Sequence, residues 1–232
     1  MKVTSFASSS SGNLYTLESG STNLILECGL TPTILKQKLS FNINGFDACL
    51  VSHHHKDHSK SIDVILNYGL PVYAHKETFK DFNTDGLKAK FIEANQVFKI
   101  GELDIKAFET QHDCLGSLGF FIMNKSTGER LIFATDTYFL KQKFPALDYI
   151  MIECNYVDAL LDKDYNCGNA SRIRKSHFSL NNLKLWLSRQ DLSKLKKLYV
   201  LHLSDSHSDA SLIQKELEKM TFADVIICEK GL

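Results

Sequence analysis

Six consecutive residues carry most of the chemistry that the sequence offers. They follow the apolar residues 48–51 and read His53, His54, His55, Lys56, Asp57 and His58. Imidazoles and carboxylates packed side by side leave like charges or unpaired polar atoms unless a cation binds them. Neutral imidazole and carboxylate suit zinc, manganese and iron. The segment therefore indicates a metal site.

The spacing within this segment indicates more than one ion. In an extended or looping chain His53 and His55 point to the same side, so both can bind one ion, with His54 pointing the other way. Asp57 and His58 remain for a second ion close by. The alternative is a surface patch of histidines or a purification tag. A tag would lie at a terminus and would not be interrupted by Lys-Asp.

The composition favours one globular domain over residues 1–232. The chain has 232 residues, 44% of them hydrophobic, and shows no repeat, low-complexity tract or long linker. Its apolar runs are shorter than a membrane span, and the start lacks a signal-peptide pattern. The six cysteines are scattered without a CxxC pair, which is typical of reduced structural thiols. We expect a soluble, cytoplasmic protein without a membrane partner.

The charge is uneven along the chain. Its formal net charge is zero, which excludes a protein that coats a polyanion with its whole surface. Residues 168–200 nevertheless contain eight basic residues and one acidic residue, Asp191. This asymmetry suits a phosphate-bearing substrate, although a solvated helix face explains the later lysines equally well. Arg172, Arg174 and Lys175, close to His177, are the more suggestive group.

Helical and strand-like patterns follow one another along the chain and predict a layered α/β fold. A turn-rich segment occupies residues 8–13, and residues 90–108 alternate as a meander around Gly101. The predicted strands are residues 2–7, 23–27, 47–52, 71–74, 118–123, 130–134, 148–153 and 198–203. The predicted helices are residues 31–39, with Thr31 as N-cap, 59–68, 180–188 and 210–220.

Three further metal-ligand types lie at the ends of predicted strands. His112 follows the meander, Asp136 follows strand 130–134, and His202 lies near the end of strand 198–203. Each one alone is as well explained by a structural role. Together with the histidine segment they indicate a metal site on the loop edge of a sheet.

The segment HHHKDH matches the HxHxDH signature of the metallo-β-lactamase superfamily, and His112, Asp136 and His202 follow in the family's order. Within that superfamily the chain resembles the WalJ/YycJ type, an intracellular bacterial and phage group implicated in DNA processing. Four segments carry this resemblance: residues 8–13 (SSSSGN), 153–155 (ECN), 176–180 (SHFSL) and 201–204 (LHLS). Ser9 and Ser176 replace the usual glycines, and Leu180 replaces the usual asparagine.

The resemblance implies a single-domain, four-layer αββα sandwich with two divalent metal ions, zinc or manganese, with iron also acceptable to these ligands. One ion would be bound by His53, His55 and His112. The other would be bound by Asp57, His58 and His202, and Asp136 would bridge both. Such a pair of ions binds a shared hydroxide that serves as the nucleophile.

The resemblance also assigns roles to residues beside the ligands. His177 resembles the non-ligand histidine that tRNA-processing nucleases use at the scissile phosphate, so it would join Asp57 as a catalytic residue. The alternative is a histidine packed near a helix start. Glu153 and Asn155 would orient a ligand or His177, although Glu153 could simply be hydrogen-bonded.

The remaining candidates are weaker. Ser11 and Asn13 would line the cleft. His54, His75 and His207 have polar neighbours and are predicted to lie on the surface. Cys114 is predicted to be a packing residue rather than a ligand.

The sequence thus predicts a dinuclear metal-dependent phosphodiesterase, a nuclease acting on DNA or RNA. Arg172, Arg174 and Lys175 would bind the nucleic acid backbone without reading its sequence. A small-molecule hydrolase acting on a cyclic phosphodiester, lactone or thioester is the first alternative, since one fold hosts many chemistries. A non-catalytic metal-containing regulatory module is the second. A homo-oligomer, in which a second copy completes the cleft, also fits.

Overall fold

A computed structural model describes residues 1–163 and 168–231. The chain divides into two compact units. Unit 1 comprises residues 1–109, 114–129 and 229–231, and unit 2 comprises residues 110–113 and the described part of 130–228. The predicted single-domain organisation over residues 1–232 stays a prediction.

Unit 1 contains a sheet of six strands and a separate meander of three. The sheet strands are β1 (Lys2–Ser9), β2 (Gly12–Ser19), β3 (Thr22–Leu26), β4 (Ala48–Leu50), β5 (Val72–Ala74) and β6 (Ala89–Phe91), in spatial order from β1 to β6. The first three are antiparallel, and β3 to β6 are parallel. The antiparallel meander is β7 (Val97–Ile100), β8 (Leu103–Glu109) and β9 (Leu118–Asn124).

Two helices of unit 1, α1 (Pro32–Lys38) and α3 (Ile62–Asn67), pack on a continuous apolar core. Unit 1 also contains the short helix α2 (Lys56–Ser59) and 3-10 turns at Ile43–Gly45 and Lys76–Phe79. Strands β3 and β4 are almost wholly buried, as is typical of parallel strands covered on both faces. Leu35 of α1 and Ile65 of α3 belong to the same core. This packing fixes the strand ends at Glu27 and Ser52, where the polar residues of unit 1 gather.

Unit 2 is a parallel sheet with helical connections. Its strands are β10 (Arg130–Ala134), β11 (Tyr149–Glu153), β12 (Lys197–Leu201) and β13 (Asp224–Ile227), in this spatial order. Its helices are α4 (Asp158–Lys163), α5 (Ala170–Ser176), α6 (Leu180–Leu187) and α7 (Ala210–Thr221). The register pairs Ala134 with Ile152 and Ile152 with Val200. The carboxyl ends of three strands therefore meet at one edge.

The two longest helices of unit 2 are stabilised at their starts by side-chain caps. The Ser179 hydroxyl accepts a hydrogen bond from the Asn182 amide at 3.1 Å, and the Asp209 carboxylate accepts one from the Leu212 amide at 2.9 Å. Such caps satisfy amide groups that have no partner within the helix. The helices predicted at residues 180–188 and 210–220 are confirmed to within a residue or two.

Other sequence predictions need correction. The helix predicted over residues 59–68 is present as α3, but it begins at Ile62 instead of Ser59, which ends the separate helix α2. The turn predicted over residues 8–13 is shorter, because Ser8 pairs with Asn13 across β1 and β2. Strand β13 and helices α4 and α5 were not predicted, since they are short. Strand β2 was not predicted because almost all of its eight residues are buried and its sequence does not alternate between apolar and polar residues. Thr31 precedes α1 as predicted, but its side chain makes no cap hydrogen bond.

Among the described helices, none combines the length and apolar composition that crossing a bilayer requires. Cys28, Cys49 and Cys154 are buried free thiols, in keeping with the expected reduced state. Cys167 lies outside the described residues.

Candidate metal centre

In unit 1 the histidine segment forms a compact group on the loop between β4 and α2. We call His53, His55, Asp57 and His58 the loop cluster. The His53 Nε2 and His55 Nδ1 atoms lie 3.0 Å apart, and the His53 and His58 ring centroids lie 4.2 Å apart. The Asp57 carboxylate lies 3.2 Å from His58 Nε2. The predicted convergence of His53 and His55 is therefore present.

Glu27, a buried carboxylate that was not among the predicted site residues, contacts the loop cluster. Glu27 follows β3, is fully buried, and accepts a hydrogen bond from the Ser52 amide at 3.1 Å. Its other oxygen lies 3.5 Å from His58 Nδ1. Burial raises the pKa of Glu27, although His58 opposes the shift. The available signal was its position: Glu27 ends a predicted strand, as the other candidate ligands do.

Glu27 also adopts a costly backbone conformation. Its φ is 63°, a left-handed value that non-glycine residues seldom adopt. Such strain persists where surrounding contacts hold it, and it concentrates at functional sites. The contacts that Glu27 makes to Ser52 and His58 hold it in this strained conformation.

Asn13 and Gly29 shape the backbone of the loop cluster. The buried Asn13 amide donates a hydrogen bond to the Asp57 carbonyl oxygen at 3.1 Å and lies 3.3 Å from His58 Nε2. A Cβ atom on Gly29 would overlap that same carbonyl oxygen, so only glycine fits there. Asn13 thus holds the backbone of the loop in place. Ser11, in contrast, is exposed on the turn between β1 and β2.

Unit 2 holds a second group of candidate ligands at the edge of its parallel sheet. We call Asp136, Glu153, His177 and His202 the strand-end cluster, because three of them lie at the ends of β10, β11 and β12. Each offers one ligand atom, and these atoms lie within 4.8 Å of one another. Asp136 and His202 have φ values of 38° and 55°, again strained for non-glycine residues.

His112 lies beside the strand-end cluster. Its Nε2 atom is 3.6 Å from Asp136 Oδ2, and its Nδ1 atom is hydrogen-bonded to the Ser176 carbonyl oxygen at 2.9 Å. A carbonyl oxygen can only accept, so Nδ1 carries a proton, and in the neutral ring Nε2 is the nitrogen with the lone pair. This is the tautomer that a metal ligand needs.

Glu153 holds two histidines of the strand-end cluster at once. One of its oxygens lies 2.6 Å from His177 Nδ1 and 3.2 Å from His202 Nδ1. The other accepts from the Thr137 and Phe178 amides at 3.0 and 3.1 Å. The Asn155 amide lies 3.3 Å from the same His202 nitrogen. Glu153 and Asn155 therefore contact the residues that they were predicted to orient.

The electrostatics of Glu153 and His177 are reciprocal. Burial acts to raise the pKa of the Glu153 carboxyl, but the nearby His177 outweighs it and lowers that pKa. Burial acts to lower the pKa of His177, but the charge of Glu153 and its hydrogen bond outweigh it and raise that pKa. The pair thus favours an imidazolium facing a carboxylate.

The basic residues near His177 are partly neutralised. Arg172 pairs with Asp113 at 2.7 Å, and Arg174 pairs with Asp162. Lys175 is exposed and forms no ion pair with any described residue. The charge available to an anion on this helix is therefore mainly that of Lys175.

One surface prediction is wrong, because His207 is buried. His75 is partly exposed, and its ring lies so close to Gly116 that a Cβ atom there would overlap it. His54 is partly exposed. Cys114, predicted to pack, has its Sγ atom within 4.8 Å of the ligand atoms of His53 and His55.

The donor sets of both clusters fit divalent metal ions. Each combines imidazole nitrogens with carboxylate oxygens, and His53, His58, Asp136 and His202 are all buried. Buried groups of this kind, packed a few ångströms apart, are stabilised when a cation takes their lone pairs.

Comparison with known proteins supplies the family. Residues 22–203 match the model of the beta-lactamase superfamily domain, which spans most of the chain. The chain belongs to this superfamily. The predicted α/β class and the metallo-β-lactamase fold are confirmed, since the metallo-β-lactamase fold protein YhfI from Bacillus subtilis superposes with a TM-score of 0.76. The identity is 19%, and the match covers 99% of this chain and 97% of YhfI.

Two curated relatives match the WalJ/YycJ resemblance. The chain is 26% identical to exodeoxyribonuclease WalJ of Streptococcus pneumoniae serotype 2, over 96% of this chain and 87% of WalJ. It is 27% identical to exodeoxyribonuclease YycJ of Bacillus anthracis, over 97% of this chain and 88% of YycJ. Superfamily membership, these relatives and the two clusters agree on the enzyme class: the chain is a metal-dependent hydrolase.

Proposed function

We propose that the chain is a dinuclear metal-dependent phosphodiesterase that cleaves nucleic acid. The observation that carries this proposal is the hydrogen bond between His177 and the buried Glu153, beside Asp136 and His202. A metal-ligand cluster with an acid–base histidine next to it suits phosphodiester cleavage. The similarity to two exodeoxyribonucleases supports DNA as the substrate.

We assign seven ligands to two ions, following the family signature. His53, His55 and His112 would hold one ion, Asp57, His58 and His202 would hold the other, and Asp136 would serve both. When bound, such ions supply an activated water and offset the negative charge of the phosphate. The other residues position these ligands, chiefly Glu27 and Asn13 behind His58, and Glu153 and Asn155 behind His202.

His177 is the proton donor in this proposal. Its Nδ1 atom is engaged by Glu153 and its side chain is 14% exposed, which leaves Nε2 to face substrate. The raised pKa increases the protonated fraction of His177 near neutral pH. Protonated Nε2 donates its proton to the leaving oxygen while Glu153 stabilises the charge on the ring.

Substrate binding depends on the exposed charge of α5. Lys175 contacts the phosphate backbone, and Arg172 and Arg174 contribute after exchanging their carboxylate partners for phosphate. We place this activity in the cytoplasm, where nucleic acid is present and buried thiols stay reduced.

The test is cleavage of end-labelled single- and double-stranded DNA and RNA by the full chain reconstituted with zinc or manganese. We expect Asp57→Ala to abolish cleavage. We expect His177→Ala to slow it by about 100-fold or more, as loss of a general acid does. His54→Ala is the matched control, because His54 lies in the same segment but outside the proposed ligands, and it should retain activity.

Other outcomes would identify the alternatives. Intact polynucleotides together with turnover of a cyclic phosphodiester, lactone or thioester would assign a small-molecule hydrolase. Metal binding without turnover of any of these substrates would assign a regulatory module. Equal activity of His177→Ala and the wild type would show that His177 is not the proton donor. That result would not contradict the proposed nuclease activity.

A further inference from the structure

Cys114 is the one candidate ligand in unit 1 that the proposed function does not use. Its Sγ atom lies within 4.8 Å of the ligand atoms of both His53 and His55. Its residue is only partly buried, so an ion or solvent can reach it. The two imidazole nitrogens are themselves 3.0 Å apart. Three ligand atoms of types that zinc prefers thus surround one point in unit 1.

The distances are close to those of a metal site. With zinc–nitrogen bonds of about 2.1 Å, two tetrahedral ligands lie roughly 3.4 Å apart, and a zinc–sulfur bond of about 2.3 Å places sulfur roughly 3.6 Å from each nitrogen. The His53–His55 separation is already near this value. A shift of about 1 Å in the Cys114 side chain, within the reach of a rotamer adjustment, completes the triangle.

The backbone holds Cys114 at this place. The Leu118 amide donates a hydrogen bond to the carbonyl oxygen of Ser52, the residue directly before His53, at 3.0 Å. Gly116 lies against the His75 ring with no room for a side chain. The start of β9 is therefore bonded to the residue before the loop cluster, and Gly116 packs against His75, which follows β5.

We propose that Cys114 is a thiolate ligand of the ion bound by His53 and His55, and that it makes this position selective for zinc over manganese. The inference rests on the metal site of the proposed function. On binding, the Cys114 sulfur–hydrogen bond breaks, the proton passes to solvent, and the sulfur lone pair forms the bond to the metal. Thiolate is a soft ligand that favours zinc, whereas manganese prefers oxygen ligands.

The test is the absorption spectrum of the full chain loaded with cobalt(II), which takes zinc sites and reports thiolate ligands by an intense near-ultraviolet charge-transfer band. We expect this band in the wild type and its loss in Cys114→Ser and Cys114→Ala. Cys49→Ala is the matched control, because the fully buried Cys49 has a pKa raised well above its usual value and stays protonated. Its band should match the wild type.

A competition titration with a chelator gives the second readout. We expect Cys114→Ala to lose at least about tenfold in zinc affinity, the lower end of what altered metal surroundings cost, with manganese affinity nearly unchanged. Bound cobalt without a charge-transfer band in the wild type would overturn the role of Cys114 and leave the hydrolase proposal intact. Failure of the wild type to bind cobalt, zinc or manganese would overturn both.

Discussion

In unit 1 the candidate ligands come from one loop of six residues and from Cys114, whereas in unit 2 they come from the ends of three parallel strands, from His112 and from His177. Both groups nevertheless share one arrangement of side chains. A fully buried glutamate at a strand end faces a histidine Nδ1 atom: Glu27 faces His58 at 3.5 Å, and Glu153 faces His202 at 3.2 Å.

The two glutamates differ in how well their charge is compensated. Glu153 contacts two histidines and two backbone amides, and its pKa is lowered. Glu27 contacts the Ser52 amide and one histidine, and burial raises its pKa. A buried carboxylate stays ionised only when enough donors and cations surround it. We therefore expect the strand-end cluster to be better ordered before an ion binds than the loop cluster.

Removing one ligand from each cluster is expected to have the largest effect among the variants that test this comparison. We expect His53→Ala and His202→Ala each to lower the cleavage rate by at least about 100-fold, because even changes behind the ligands cost 10- to 100-fold. Elemental analysis should show less bound metal in both variants. A variant with full metal content and full activity would remove its cluster from the active site.

Gly29→Ala tests the loop cluster through its backbone. The added methyl group would overlap the Asp57 carbonyl oxygen, so we expect a loss of about 2–3 kcal/mol in the free energy of unfolding, as overpacking costs. Urea denaturation measures it. Gly168→Ala is the control, since no atom of the described residues beyond its chain neighbours lies within 4 Å of its added Cβ. Similar stability of the two variants would contradict the close approach.

Replacing each glutamate by glutamine compares the two supports directly. Glutamine keeps the shape but loses the charge that orients the histidine. We expect zinc affinity to fall about 10-fold in Glu27→Gln and nearer 100-fold in Glu153→Gln, because Glu153 contacts two histidines. Calorimetric titration measures both, with the exposed Glu18→Gln as control. A larger loss in Glu27→Gln would reverse the proposed order of preorganisation.

The smallest expected effect concerns the start of one helix in each unit. Ser179→Ala removes the cap of α6, two residues after His177, and should cost about 1 kcal/mol in unfolding free energy. Thr31→Ala, before α1 in unit 1, should cost little, because Thr31 makes no cap hydrogen bond. Thermal unfolding distinguishes the two, and an equal cost would contradict the difference in capping.

Much of the fold and of the site could be predicted from local patterns. Helices α6 and α7 follow from apolar spacing, and Asp136 and His202 follow from their positions at strand ends. The short elements β13, α4 and α5 could not be predicted, because few residues cannot display a clear period. Strand β2 was missed for another reason: almost all of its eight residues are buried, so its sequence does not alternate. The burial of His207 was also missed, since its polar sequence neighbours say nothing of the chain packed over it.

The sequence by itself determined the loop cluster and the family, because the spacing of six consecutive residues is set by covalent geometry. Only the tertiary structure decided which residues stand behind the ligands. Asn13 reaches Asp57 across 44 positions, and Glu153 reaches His202 across 49. The tertiary structure likewise decided the ion pairs of Arg172 and Arg174. It also placed Cys114 beside His53. Contacts over such distances depend on strand register and packing, which no local pattern encodes.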